Sequence, residues 1–456
     1  MKRIAILILL ASFHLGAQTP ATTATTATTA TPATTATTAA AGTTLFEYGF
    51  EQRVRNEDWN NLLDYNQNLN DKRAQVRYRT RLWMKAPLNK DIDFSVGLNQ
   101  ETNEIIKPDK PFRFDEVIFE TAYIDFKKLF VKGLSLRVGR QNIMKNEGFL
   151  IFEGNPGDGS RTTYFNAAVL GYTWKKSKLE LMAIDDPRTD RFLPHFHHPS
   201  RTLNDWSEEA LGAYYTDGNL KNTSIEAYYF YKKEVRDVRA VTNPLFQPDR
   251  HVSTAGGRVV QKFKKGWSAT GELGLQWGAQ HPNTKITGRG GYAYVKKTFG
   301  AGARNYVLAG YIGMSGDNPA TTDKYEGWDP IFSRWPKYSE LYIYSQVNEK
   351  AVAYWTNTGM WQMEAVYSPV KPVSCRFTLY HMNAFYPSKG NPLTFGTGTA
   401  RGNMPQVRVD YTRNARWKGH ILYERMVPGS FYSVQSPAHF LRFEVTYTLT
   451  GTVKKA

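Results

Sequence analysis

The chain reads as an all-β protein, a transmembrane antiparallel β-barrel of the outer-membrane type with about 18 strands. Three observations predict this. An export signal opens the chain. Apolar and polar residues then alternate with a period of two from Leu45 to about Leu449. After residue 17 no run of about 18 apolar residues occurs, so no helix of that composition is available to cross a bilayer.

Residues 1–17 carry the signal. Lys2 and Arg3 form a charged start, Ile4 to Leu10 an apolar run, and Gly16 and Ala17 a small-residue cleavage site. No cysteine follows the apolar run, which argues against a lipid anchor by that route. Residues 18–43 are almost all Ala and Thr, with one Pro32. Such a segment has no large side chain to bury against the entropy of ordering, so a disordered spacer is expected. Residues 44–456 are then a single barrel domain without a break in composition.

Within that domain the alternation defines strands, because successive side chains of a strand point to opposite faces. FEYGFEQRVR (46–55) sets Phe46, Tyr48, Phe50 and Val54 against Glu47, Glu51, Arg53 and Arg55. RAQVRYRTRLW (73–83) sets Val76, Tyr78, Thr80 and Leu82 against Arg77, Arg79 and Arg81. DIDFSVGLNQE (91–101) sets Ile92, Phe94, Val96 and Leu98 against Asp93, Ser95, Gly97 and Asn99. HFLRFEVTYTL (439–449) sets Leu441, Phe443, Val445, Tyr447 and Leu449 against Arg442, Glu444, Thr446 and Thr448. No stretch has a convincing 3.6-residue apolar period. Tight turns such as 86–91 alternate with longer polar stretches such as 145–163 and 185–207, as expected for short periplasmic turns and long outer loops. Aromatics make up 14% of the chain, which suits girdles at two membrane interfaces.

Alternation alone does not separate a barrel from a soluble sandwich. The export signal, the strand close to the C-terminus and the undivided length decide for the barrel. At 16–18 strands such a barrel encloses a water-filled lumen. The single Cys375 excludes an internal disulfide framework and a cysteine metal cluster.

The charges then acquire a direction. The chain holds 58 Lys+Arg against 41 Asp+Glu, a net charge of +17. Arg53, Arg55, Arg77, Arg79 and Arg81 fall on lumenal faces of neighbouring strands about 4.8 Å apart, and so form one cationic patch. Guanidinium groups keep their charge at all relevant pH and bind carboxylates through paired hydrogen bonds. Glu47, Glu51 and Glu120 are candidate counter-charges. The competing reading is an arginine–glutamate ladder that only stiffens the wall. Part of the charge can also sit on loops or turns, where it meets anionic lipid headgroups.

LRVGRQ (136–141) poses a register problem. Strict alternation puts Arg137 and Gln141 on one face and Arg140 on the lipid face, at a cost of roughly 2–4 kcal/mol at mid-depth. Either a bulge at Gly139 turns Arg140 into the lumen or Arg140 sits at the interface and snorkels; the bulge is preferred, and Arg140 is expected in the lumen. Three further features read as structural. His195, His197 and His198 are expected to be loop histidines without a metal, and SGDNPATTD (315–323), with Asp317 and Asp323, a plain turn rather than a Ca²⁺ loop. GMSGD (313–317) lacks the spacing of a nucleophile elbow, and no zinc helix, phosphate loop or dinucleotide turn is found. No catalytic set, cofactor or nucleic-acid partner is expected.

Three segments resemble the alginate export family of outer-membrane β-barrels. FETAYIDFKKLFVKGLSLRVGRQ (119–141) is similar to its strand pair, an AYxDF segment followed by LRxGRQ. YIGMSGDNPATTDKYEGWDPIF (311–332) is similar to its SGDxxP loop and following turn. PQVRVDYTRN (405–414) with ILYERMVPGSFY (421–432) is similar to its penultimate hairpin. The resemblance spans about 45–449. It implies an outer-membrane channel for passive passage of anionic polysaccharide or other anionic solutes, working beside periplasmic and polymer-synthesis components. A small-solute porin on the same scaffold is the alternative. In this chain Glu120 stands where the alginate exporters carry a lumenal arginine, and Arg408 precedes Asp410 where Glu is common. The expected lumenal set is Arg53, Arg55, Arg77, Arg79, Arg81, Glu120, Arg137, Arg140, Gln141, Arg442 and Glu444.

Overall fold

The computed structural model describes residues 44–69, 71–152, 164–196, 202–204, 206–235, 249–300, 304–333, 337–350 and 355–455. The expected signal peptide and spacer, and His197 and His198, lie outside the described residues.

Twenty strands occur in chain order among these residues. They are β1 Thr44–Asn60, β2 Arg73–Pro87, β3 Ile92–Lys107, β4 Arg113–Phe126, β5 Leu134–Gln141, β6 Phe165–Trp174 and β7 Ser177–Asp186. Then come β8 His195–Phe196, β9 Ser207–Asp217, β10 Thr223–Val235, β11 Arg250–Lys262, β12 Trp267–Gln280, β13 Thr284–Phe299 and β14 Asn305–Met314. The last are β15 Lys324–Tyr325, β16 Thr358–Tyr367, β17 Val373–Asn383, β18 Ala400–Thr412, β19 Trp417–Pro428 and β20 Ala438–Lys454. One helix, α1, spans Tyr342–Lys350.

Eighteen of the strands pair antiparallel in sequence order, and β20 returns to pair with β1. The sheet is thus a closed 18-stranded barrel, as the sequence predicts. The two-residue strands are additions to it: β8 pairs with β4, and β15 runs parallel to β13. Closure leaves no strand edge in the hydrocarbon, where an unpaired N–H or C=O would find no water.

The register shows how alternation is used. On one face Phe50 pairs with Leu82 and Leu449, and Val54 with Tyr78 and Val445. On the other Glu51 pairs with Arg81, Arg53 with Arg79, and Arg55 with both Arg77 and Glu444. Leu82 and Val445 are 51% and 49% exposed, whereas Arg53 and Arg55 are 1% and 0% exposed. Apolar outside and charged inside is the pattern of a barrel in lipid.

The two rims differ. Eight connections at one rim have two to seven residues (88–91, 127–133, 175–176, 218–222, 263–266, 300–304, 368–372 and 413–416), and the chain ends of β1 and β20 meet there. The other rim carries the long loops. Several of these fold into the lumen and make its apolar core: Phe149, Leu150 and Ile151 from one loop, Trp328, Phe332, Leu341 and Tyr342 from the 315–357 loop, and Tyr65 and Tyr432 from two more. Ile151 and Phe332 pair as a bridge between two such loops.

The 315–357 loop is seated by the wall. Trp328 lies over Gly274 of β12 and Gly290 of β13, where a Cβ on Gly290 would come within 2.5 Å of the indole. Phe149 stacks on the same ring at 5.2 Å. Glycine at these two positions makes room for the tryptophan. Trp328→Ala should remove about 3–5 kcal/mol of packing and free the loop from the lumen. Single-channel conductance is then expected to rise, and an unchanged conductance would show that this loop does not narrow the path.

Candidate functional site

The lumenal faces of β20, β1, β2, β3 and β4 carry one ion-pair ladder. Arg79 holds Glu51 at 2.7 Å. Arg81 Nε donates to Glu120 at 2.6 Å, and Glu51 lies at 3.7 Å from the same guanidinium. Arg77 reaches Glu101 at 3.0 Å and Glu57 at 3.4 Å. Arg55 donates to Glu444 at 2.6 and 2.8 Å, and Arg53 stands 3.9 Å from that carboxylate. Arg442 donates twice to Glu57, at 2.6 and 2.9 Å, and contacts Glu340 of the inward loop at 2.8 Å. Six arginines therefore meet six glutamates.

The five arginines of β1 and β2 do adjoin, but they are not a bare cationic patch. Glu57 and Glu101 interleave with them from the same and the next strand, and Glu444 comes from the last strand across the barrel closure. Sequence proximity places Glu51 and Glu57 beside them on β1, whereas Glu101 and Glu444 arrive from β3 and β20. Glu340 is the only one of the six acids that comes from a loop.

LRVGRQ requires a correction. The pairing of β5 with β4 and β6 runs through Gly139 without a register shift, so no bulge turns Arg140 into the lumen. Arg140 keeps the parity of Val138 and is covered from outside by the 187–196 loop. Its guanidinium donates to Asp190 at 2.7 and 2.9 Å, to the Phe119 carbonyl at 3.1 Å and to Asn166 at 2.9 Å. A counter-ion from a distant loop removes the lipid penalty. Burial raises the affinity of Asp190 for a proton, but Arg140 overcomes this and holds it below the usual carboxylate range. Gln141 points inward and braces the wall by donating to the Ala167 carbonyl at 2.9 Å. Arg137 pairs with Asp125 at 2.9 Å and lies over Tyr123 at 4.6 Å.

His195 meets an acid: Nε2 lies 2.6 Å from Glu116 of β4, brought there by the β8–β4 pairing. Among the described residues no group of His, Cys, Asp and Glu has the arrangement of a metal site. Asp317 accepts from the Glu326 amide and pairs with Lys389 at 2.8 Å, the contacts of a braced turn.

The opposite wall was not read from the sequence. Strands β13, β14 and β16 to β19 line a lumenal cavity of about 330 Å³ that reaches Lys337–Glu340 of the inward loop. Tyr292, Tyr294, Tyr306, Tyr338 and Tyr380 form much of its wall. Arg376 opens into it, and among the described residues this guanidinium has no ion-pair partner. The nearby Glu364 accepts instead from Tyr306 at 2.5 Å and Thr378 at 3.0 Å. Lys296 lies over the Tyr306 ring at 4.9 Å. Burial lowers the Lys337 ammonium to about 8, with Glu147 opposing the shift. The period-two runs YAYVK (292–296) and RFTLY (376–380) held the signal for these residues.

A closed barrel with apolar outer faces, charged inner faces and loops folded into the lumen is the architecture of an outer-membrane channel. The chain belongs to the alginate export family, whose model matches residues 45–444. No curated protein matches it in sequence. Among solved structures it is similar to Pseudomonas aeruginosa OccK2 (OpdF) in complex with glucuronate, with 12% identity, a TM-score of 0.56 and coverage of 90% of this chain and 98% of that one. It is also similar to P. aeruginosa OpdK with vanillate (13% identity, TM-score 0.56, 89% and 99% covered). A third likeness is to P. aeruginosa OpdQ (11% identity, TM-score 0.57, 89% and 99% covered). At such identities the likeness is one of fold.

Glu57 is the junction of the ladder, shared by Arg442, Arg77 and Arg55. Glu57→Ala leaves buried guanidinium groups short of a counter-charge. It is expected to cost about 3–5 kcal/mol and to lower the thermal unfolding midpoint of the refolded protein. An unchanged midpoint would remove the ladder from the stability of the wall.

Proposed function

We propose that the channel passes small anionic solutes passively, with the two lumenal walls dividing the work. The observation that carries this reading is Arg376, a guanidinium without an ion pair among the described residues and open to a cavity of about 330 Å³. Lys296 adds a lumenal cation on the same side. A carboxylate entering here regains part of its lost hydration as charge-assisted hydrogen bonds. The balanced ladder across the lumen supplies cations whose glutamates compete with the solute, which keeps binding weak enough for release.

Anionic polysaccharide is the reading that family membership favours. The loops folded into the lumen favour small solutes over a polymer, because a long chain needs an unobstructed path. The solved relatives that hold glucuronate and vanillate carry small acids in a barrel of the same fold.

The test is ion selectivity in planar bilayers under a salt gradient. The wild type is expected to prefer anions. Arg376→Gln should weaken that preference, and the triple change of Arg77, Arg79 and Arg81 to Ala should abolish it by leaving their glutamates unopposed. A wild type without anion preference would sink the reading. Release of alginate chains from loaded liposomes at the rate of the uronate monomer would transfer the proposal to the polymer.

A further inference from the structure

The net charge of the chain is concentrated at one rim. The eight short turns hold thirteen Lys and Arg and a single acid, Asp91. The long loops at the other rim mix signs, with Asp64 and Asp71 beside Lys72, and Asp185 and Asp190 beside Arg188 and Arg191. Of the thirteen turn cations, Lys127 alone has a carboxylate partner among the described residues, Asp93 at 2.6 Å. The others have no ion pair there to offset their mutual repulsion.

We propose that this rim is a binding surface for the headgroups of anionic phospholipids in the leaflet it faces. In an outer-membrane barrel the short turns face the periplasm, so the leaflet is the periplasmic one.

Two features favour lipid over a soluble acidic partner. The first is distribution. Every one of the eight turns carries a cation, so the charge encircles the barrel as an annulus of lipid does. A protein partner would cover one sector. The second is the company the cations keep. Phe130, 94% exposed, stands between Lys128 and Lys132. Trp174 precedes Lys175 and Lys176 and stacks on Tyr172 at 5.4 Å. Phe263 and Trp267, both exposed, bracket Lys264 and Lys265. Trp417 follows Arg416 and packs on Tyr447 at 4.8 Å. Exposed rings beside lysines suit the boundary between acyl chains and headgroups: the rings lie at that boundary, and the long cationic stems reach the phosphates. Each lysine within reach of an anionic surface contributes roughly a fivefold gain in affinity.

The experiment reconstitutes the full chain in nanodiscs of phosphatidylcholine alone or with phosphatidylglycerol, and records the thermal unfolding midpoint. Phosphatidylglycerol should raise the midpoint, and 1 M salt should cancel the rise, because the Debye length there is only about 3 Å. Changing Lys175, Lys176, Lys264 and Lys265 together to Gln should roughly halve the rise, while changing them to Arg should retain it. The gel mobility of unheated samples identifies the folded barrel, and if the Gln variant does not fold, the single change Lys264→Gln takes its place with a smaller loss expected. Equal midpoints in the two lipid mixtures, or a rise that the Gln changes leave intact, would overturn the proposal. An equal rise in neutral nanodiscs from inorganic phosphate or soluble polyglutamate would overturn lipid as the occupant.

Discussion

Everything in this molecule depends on the cost of leaving a backbone N–H or C=O unpaired in hydrocarbon. That cost excludes an open sheet edge, so β20 must find β1, and the closed ring sets which strands share a wall. Closure is also what makes the ladder. Arg55 and Glu444 are 389 residues apart in sequence, yet closure makes them direct neighbours across the lumenal face. The same constraint explains the period of two, since each strand must show one face to lipid and the other to the lumen.

Given closure, the charges divide into three populations with different physics. The ladder on β20 to β4 is internally neutral, and its arginines are buried among carboxylates that hold them in place. Across the lumen Arg376 and Lys296 stand among tyrosines without an ion pair among the described residues, where an anion can reach them. The cations of the short turns face headgroups rather than solute. The excess positive charge of the chain therefore belongs mainly to a membrane interface and only in small part to the pore.

The inward loops complete the channel. Glycines at the wall admit Trp328, and Glu424 fixes the start of the α1 segment by accepting from Ser339 at 2.5 Å and from the Leu341 amide at 2.8 Å. Arg401 holds α1 from another strand through Glu349, at 2.9 Å. These polar anchors seat an apolar plug inside a polar lumen, so a wide barrel becomes a narrow one.

The sequence by itself determined the barrel, its 18 strands and the alternation that turns one face of each strand to lipid and the other to the lumen. Period-two alternation is a local property, and every segment from 46–55 to 439–449 expresses it independently. The arginines of β1 and β2 were legible for the same reason. Their neutralisation was not, because Glu101 and Glu444 reach them only through register and closure, as Glu57 reaches Arg77. Arg140 is the sharpest case: alternation aims it at lipid, a bulge into the lumen is the preferred expectation, and the actual remedy is Asp190, supplied by a loop fifty residues on. The tyrosine-lined cavity and Arg376 were written in plain alternation but carried no mark that singled them out. Only the tertiary structure decides which cations are spent on partners and which stay open, because an ion pair is set by distance in space, and the strand pattern fixes direction alone.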